Sequence, residues 1–115
     1  MKQTVAFDDF AKLDLRAGNV VDVADVPGSE KLYRMTVDLG PVPDGGGLRT
    51  IFAGVKKWYK KSQLKGKNFI FVANLVPRKM PSGESQGMML AICPASGKPL
   101  LLPVSKTVEP GQSLC

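Results

Sequence analysis

The run NLVPRKMPSGESQGMML, residues 74–90, gathers an amide, two cations, a hydroxyl and a thioether between two apolar stretches. Arg78 and Lys79 are of the types that meet phosphate oxygens, arginine as a planar fork and lysine as a point charge. Pro77 just before them restrains the backbone and holds both out from whatever the flanking stretches pack into. Asn74 closes the first apolar stretch, where a side-chain amide caps a strand end by bonding nearby backbone. Ser85 suits a loop-stabilising hydroxyl, and Met88, on pattern alone, belongs to a core. The run reads either as a hairpin loop that happens to be positive or as a surface that grips an anion.

Little else in the chain has the makings of a reaction centre. There is no histidine, which removes Ser-His and Cys-His catalysis and the commonest general base near neutral pH. Asp8 and Asp9 are adjacent, so on a helix they point in different directions and suit charge complementation at its N-terminus rather than shared acid–base work. The two cysteines form no CxxC pair, so neither a metal nor a cofactor is expected. Cys93, in the apolar run MMLAIC, is expected to be a buried, reduced thiol, and Cys115 to be exposed. The expectation is a protein that is not an enzyme.

The charge distribution points to a ligand. The formal net charge is +6, yet Met1–Asp44 carries five Lys/Arg against eight Asp/Glu, while Gly45–Gly83 carries nine Lys/Arg and no acid. A block of that length without a carboxylate suggests an electropositive surface for polyanions. Its structural rival is a solvated basic face, with Lys56, Lys57, Lys60 and Lys61 simply in water. Aromatic residues are only 7% of the chain. A platform that stacks single-stranded bases displays aromatics, so the composition favours backbone and shape readout of a folded RNA.

These side chains need elements to position them. At 115 residues and 43% hydrophobic, one globular domain spanning 1–115 is expected. No apolar run is long enough to span a bilayer. The N-terminal MKQTVAFDDF lacks a signal-peptide layout, which makes the cytoplasm the expected location. Phe7, Phe10 and Leu13 at i, i+3, i+6 predict a short helix or turn with its aromatics on the core. Residues 15–26 read as a long first strand with a bulge or bend near Gly18. LYRMTVDLG alternates cleanly, with Tyr33, Met35, Val37 and Leu39 on one face. PVPDGGG is a long flexible connection, and LRTIFAG a third strand. VKKWYKKSQLKGK predicts a short helix or turn, with Trp58 and Leu64 plugging one end of the core. NFIFVANLV is a central fourth strand and GMMLAIC a fifth, with KPLLLPV as a further short strand and TVEPGQSL as a closing turn. The pattern is all-β. It matches a five-stranded OB-fold barrel with short helical elements at the N-terminus and between strands three and four; an SH3-like barrel fits the strand count as well.

FAKLDLRAGNVVDVADVPGSEKLYRMTVDLG resembles the opening of the tRNA-binding domain family. AGVKKWYK, LKGKNFIFVANLVPRKMPSGESQGMMLA and EPGQSL resemble its later blocks in the same order. That family includes freestanding bacterial tRNA-binding proteins, C-terminal extensions of methionyl-tRNA synthetases, and cytokine-like C-terminal domains of synthetase-associated proteins. The resemblance runs from about Phe7 to Leu114 and rests on D-L-R-x-G together with N-L-x-P-R-K-M…S-Q-G-M.

The resemblance implies an OB-fold that binds tRNA by its structure, at the outer corner of the L, without catalysis. Carried over residue by residue, it implies RNA contacts at Arg16, Lys31, Lys56, Asn74, Arg78, Lys79, Ser85 and Met88. Arg16 has a rival reading as a cross-strand partner of Asp14 or Asp38. The turn VPGSEK replaces the His-Pro turn of many relatives but keeps Lys31. With no synthetase domain in the 115 residues, a freestanding homodimer is the expectation. An aminoacyl-tRNA synthetase is a further possible partner. The alternative within the same family is a chaperone-like, protein-binding module; the S-Q-G-M signature counts against it.

Overall fold

The computed structural model describes residues 1–44 and 46–115, with Asp44 described by its backbone alone. Among the described residues the chain forms a short helix α1 (Phe7–Ala11) and strands β1 (Leu15–Asp25), β2 (Tyr33–Asp38), β3 (Leu48–Ala53), β4 (Asn68–Val72), β5 (Arg78–Met80), β6 (Gly83–Ser85), β7 (Met88–Met89), β8 (Ala91–Ile92) and β9 (Leu100–Leu101).

β1 organises the rest. Its first half, Leu15–Asn19, pairs antiparallel with β4, and from Asn19 onward it pairs antiparallel with β2. A strand that changes partners midway must bend, and the register slips between Val20 and Asp22. The bend was expected at Gly18; that glycine instead answers to packing. A Cβ there would lie 2.7 Å from Phe71 Cδ1 and 2.8 Å from Leu39 Cδ2, so the core closes over it only because it has no side chain.

The five-stranded sheet runs in the order β3-β2-β1-β4-β7, and every pairing is antiparallel. In β2 the expected alternation holds: Tyr33, Met35 and Val37 are buried and Arg34 is exposed. Among the described residues, the largest completely buried side chains are Val20, Met35, Val37, Leu39, Ile51, Leu64 and Phe71. Burying one such side chain contributes about 1.5–3 kcal/mol. The two sheet edges, β3 and the start of β7, meet without a regular ladder. The Gln86 N–H donates to the Thr50 carbonyl at 2.7 Å. The Thr50 N–H donates to Gln86 Oε1 at 2.9 Å, and the Phe52 N–H to Ser85 Oγ at 3.0 Å. The result is a nearly closed five-stranded antiparallel barrel, the OB-fold-like architecture that the strand pattern predicts.

The helical elements sit where they were expected, but they pack differently. α1 buries none of its residues. Phe7 is 76% exposed and Phe10 49%, whereas both were expected on the core. The strands already fill the barrel, and the five-residue helix stays at its surface, where its two rings face each other with centroids 6.4 Å apart. Between β3 and β4 the chain makes turns and a 3-10 segment, Lys61–Gln63. Leu64 does plug the barrel, but Trp58 stays partly exposed with Lys57 Nζ 5.6 Å above its ring.

GMMLAIC is not one strand. β7 pairs with β4, then the chain leaves the barrel so that β8 pairs with β9. That departure explains a second correction: Cys93 is exposed, as is Cys115. The closing turn lies along the start of β1, where the Ala17 N–H donates to the Gln112 carbonyl at 2.9 Å and the Leu114 N–H to the Leu15 carbonyl at 2.9 Å. The long Gly-rich connection falls in part on Gly45, outside the described residues. Among the described residues, no helix is long and apolar enough to cross a membrane.

Candidate nucleic-acid interface

Downstream of β4 the chain forms a two-stranded hairpin rather than a loose loop. Arg78 pairs with Ser85, Lys79 with Glu84 and Met80 with Gly83. Strand geometry sends successive side chains to opposite faces, so the basic pair is split. Arg78 and Met80 line a cleft against the barrel, which they share with Ser85 and Met88. Lys79 stands on the other face, opposite Glu84.

That cleft holds about 310 Å³ between the hairpin, β3 and the end of β4, and Leu32, Phe52, Leu75 and Val76 add to its walls. A second cleft of about 540 Å³ adjoins it and shares Leu32, Phe52 and Met80. The turn from Val26 to Lys31 forms its far side, so Lys31 overlooks the same groove from the opposite bank. Among the described residues, Arg78, Lys79 and Lys31 have no ion-pair partner.

The S-Q-G-M run sets this geometry. Ser85 is buried; its hydroxyl accepts the Phe52 N–H and donates to the Gly87 carbonyl at 3.1 Å. Gln86 joins β3 through both backbone and side chain, as described above. Gly87 has φ +151°, and a Cβ there would lie 3.0 Å from Ile51 Cδ1 and 3.1 Å from the Val72 carbonyl oxygen. Only glycine fits both the backbone angle and the space. Met88 then emerges 46% exposed at the cleft mouth.

Arg16, Asn74 and Lys56 occupy other positions. Arg16 is buried on β1; its Nε and Nη2 donate to the two Asp14 carboxylate oxygens at 2.9 Å each, and its Nη1 donates to the Leu39 carbonyl at 3.2 Å. This is the Asp14 partnership weighed from the sequence. Asn74 bonds backbone on both sides: its Oδ1 accepts the Asp14 N–H at 2.8 Å, and its Nδ2 donates to the Lys12 carbonyl at 2.6 Å. It clamps the entry to β1. Lys56 Nζ lies 3.2 Å from Asp25 Oδ1 and donates to the Ser29 carbonyl at 3.3 Å, which braces the turn that carries Lys31.

The acid-free block of sequence is therefore not acid-free in space. Asp25 also receives Lys61 at 3.1 Å, and Lys65 lies 3.5 Å from Asp22. The Lys61 and Lys56 ammonium groups together hold the Asp25 carboxyl below its usual range. Both acids come from β1, a strand whose sequence neighbourhood gives no hint of these partners.

Two residues central to the site escaped the sequence reading. Arg49 reaches from β3 to the Ala73 carbonyl at 2.8 Å and the Gln86 carbonyl at 3.0 Å. It ties the end of β4 to the S-Q-G-M run. Phe52 floors both clefts. The only available signal was that each lies in LRTIFAG, the strand that must form one edge of the barrel.

A family model described as "Putative tRNA binding domain" matches residues 15–113. The methionine–tRNA ligase of Nitrosomonas eutropha is 43% identical over 109 residues, 95% of this chain but 15% of that protein. The chain thus spans about 15% of the length of such curated relatives. A solved structure of a MetRS-related protein from Pyrococcus horikoshii superimposes with a TM-score of 0.90 at 32% identity, covering 99% of this chain and 100% of that one. The chaperone CsaA of Bacillus anthracis superimposes with a TM-score of 0.84 at 26% identity, covering 98% and 100%. With the family model matched along nearly its whole length and the barrel reproduced over 99% of its residues, this chain belongs to the tRNA-binding domain family.

Proposed function

We propose that this chain binds tRNA by its folded shape, without catalysis, and that the groove between the β5–β6 hairpin and the Val26–Lys31 turn is the contact surface. The observation that carries the reading is the placement of Arg78 and Lys31 on opposite banks of one groove, neither paired with an acid. Lys79 adds charge on the outer face of the hairpin, and Met88 lies at the cleft mouth. Arg16, Asn74, Ser85 and Lys56 act as positioning residues, because each spends its polar atoms on this chain.

Filter-binding titrations against tRNA, an RNA hairpin and single-stranded RNA test the reading. tRNA should bind tightest, and its affinity should fall steeply with salt as phosphate contacts release counterions. Equal affinity for all three at physiological salt would reject shape-specific binding.

Partnerships extend the same reading. The relatives carry this unit within a much longer synthetase chain, so an aminoacyl-tRNA synthetase is the enzyme we place beside it, joined in the same chain or docked. For the exposed face of α1 the partner is a second copy of this chain, which would double the basic footprint.

A protein-binding, chaperone-like role is the second reading. Two observations favour it: the groove walls are largely apolar, and a protein named as a chaperone shares the fold at 26% identity. An extended apolar peptide that displaces tRNA from the protein would support this role.

A further inference from the structure

The smaller cleft has a composition that phosphate binding does not explain. Leu32, Phe52, Leu75, Val76, Met80 and Met88 line it, and Arg78 is its one charged lining residue. Val76 is 89% exposed, Met88 46% and Leu75 40%. A surface meant only for phosphate oxygens needs cations and wet backbone. Here a single cation overlooks an apolar slot of about 310 Å³, within the usual size range for small-ligand clefts.

A nucleotide has the complementary shape and charge, a flat base with apolar faces carrying one anionic phosphate. Resting on the RNA-binding reading above, we infer that this cleft takes one unstacked nucleobase of the bound RNA, with that nucleotide's phosphate on Arg78. Folded RNAs present such nucleotides in loops and bulges. The scarcity of aromatic residues does not argue against the slot, because its walls are aliphatic and thioether side chains around one phenyl ring. Met88 offers a polarisable sulfur at the mouth, and Phe52 provides the floor.

A peptide fits less well. Peptides bind sheet proteins by adding a strand to an open edge, but the β3 edge beside the cleft is already taken. The Thr50 and Phe52 N–H groups go to Gln86 and Ser85. An apolar peptide over the cleft would also leave Arg78 desolvated without an anion.

Gly54 supplies the test. It lines the cleft, its φ is not positive, and a Cβ placed on it meets nothing within 4 Å. Gly54→Leu therefore adds apolar bulk to the cleft lining with no clash at its Cβ. Affinities of wild type, Gly54→Leu and Met88→Ala are measured for a tRNA transcript, a perfect RNA duplex and an extended apolar peptide at one fixed salt concentration, with circular dichroism confirming the fold.

The inference expects Gly54→Leu to weaken tRNA binding by about tenfold or more, the scale of one stacked base, and to leave duplex binding unchanged. Met88→Ala should act in the same direction, and it decides the matter alone if the leucine variant does not fold. Unchanged tRNA affinity in the variants overturns the slot while leaving tRNA binding intact. Equal losses on tRNA and duplex overturn it too, since they mark a clash with the backbone. Loss of an extended apolar peptide with tRNA unaffected assigns the cleft to protein. If the wild type binds tRNA no better than duplex, the shape-specific reading itself fails and takes the slot with it.

Discussion

Ser85 Oγ accepts the Phe52 N–H at 3.0 Å from 33 positions along the chain, and its own hydroxyl donates to the Gly87 carbonyl at 3.1 Å. One hydroxyl thus replaces a rung of the missing β3–β7 ladder and anchors β6, the strand that pairs with Arg78. The barrel seam and the candidate RNA surface share an atom.

Ser85→Ala should leave the buried Phe52 N–H without a partner. That costs about 1–3 kcal/mol, read as a lower thermal midpoint. Amide exchange at Phe52 and along β5–β6 should speed up more than exchange along β1. tRNA affinity should fall as the hairpin loosens, because the Ser85 hydroxyl is already committed to the Phe52 N–H and the Gly87 carbonyl. Faster exchange spread evenly over the barrel would show that the seam is not local.

Much of this arrangement was readable from sequence, and the exceptions have physical causes. The alternation in Tyr33–Val37 reports a half-buried strand because one face is wet and the period is two. The apolar run Phe69–Val72 reports a central strand because both of its faces are covered. The Ser85 seam had no such signal, since it depends on which strand edges meet when the sheet curls. Phe7 and Phe10 showed an apolar face, but periodicity cannot say what covers that face. The lysine block looked unopposed because Asp22 and Asp25 are distant in sequence and adjacent only in space. Arg16 and Asn74 carry the family signature, yet their side-chain polar atoms bond this chain's own backbone and Asp14.

Arg78→Ala and Lys79→Ala should separate, because the hairpin puts the two on opposite faces. Each cation that contacts a phosphate contributes roughly 0.7–0.9 to the slope of log affinity against log salt. Arg78→Ala should lower that slope by about one contact and weaken binding most. Lys79→Ala should produce a smaller loss that vanishes at high salt. Arg78→Lys should restore the slope but not the full affinity, because a point charge cannot replace a fork. Identical behaviour of the two alanine variants would mean the split of the basic pair has no bearing on RNA.

Arg16→Ala should act on stability rather than on recognition. It removes the bonds to the Asp14 carboxylate and to the Leu39 carbonyl. Breaking a buried pair costs about 3–5 kcal/mol, and the low end applies because the Asp14 side chain is 33% exposed. Denaturant unfolding should show that loss. Under conditions where the variant remains folded, tRNA affinity and salt slope should match wild type. A reduced salt slope in folded Arg16→Ala would instead make Arg16 a phosphate contact.

The exposed face of α1 makes a prediction about assembly. Phe7 and Phe10 are 76% and 49% exposed, with Val5 at 67% beside them. Exposed apolar groups that cluster mark contact surfaces. Phe7→Ser with Phe10→Ser should shift the mass measured by light scattering toward a single copy and leave the barrel folded by circular dichroism, since α1 buries no residue within one copy. An unchanged mass in the variant would assign these rings to another partner.

Asp25 links pH to the turn that carries Lys31. Lys61 and Lys56 hold its carboxyl below the ordinary value of 3.8. A carboxyl lowered by folding adds stability above its ordinary value and loses it as pH falls through the lowered one. The loss therefore lies in acid, below about pH 4, and at neutral pH the ion pairs are complete. Because Asp25 is 56% exposed on its side chain, the contribution is small. The sharper readout is the carboxyl signal of Asp25 by NMR, which should titrate below that of an unstructured aspartate. Asp25→Asn should release Lys56 and Lys61 and raise the net charge by one. tRNA affinity should then rise at low salt and converge with wild type at high salt. A fall at low salt would mean that Lys56 matters for bracing the turn, and that its charge is worth less to RNA than the position of Lys31.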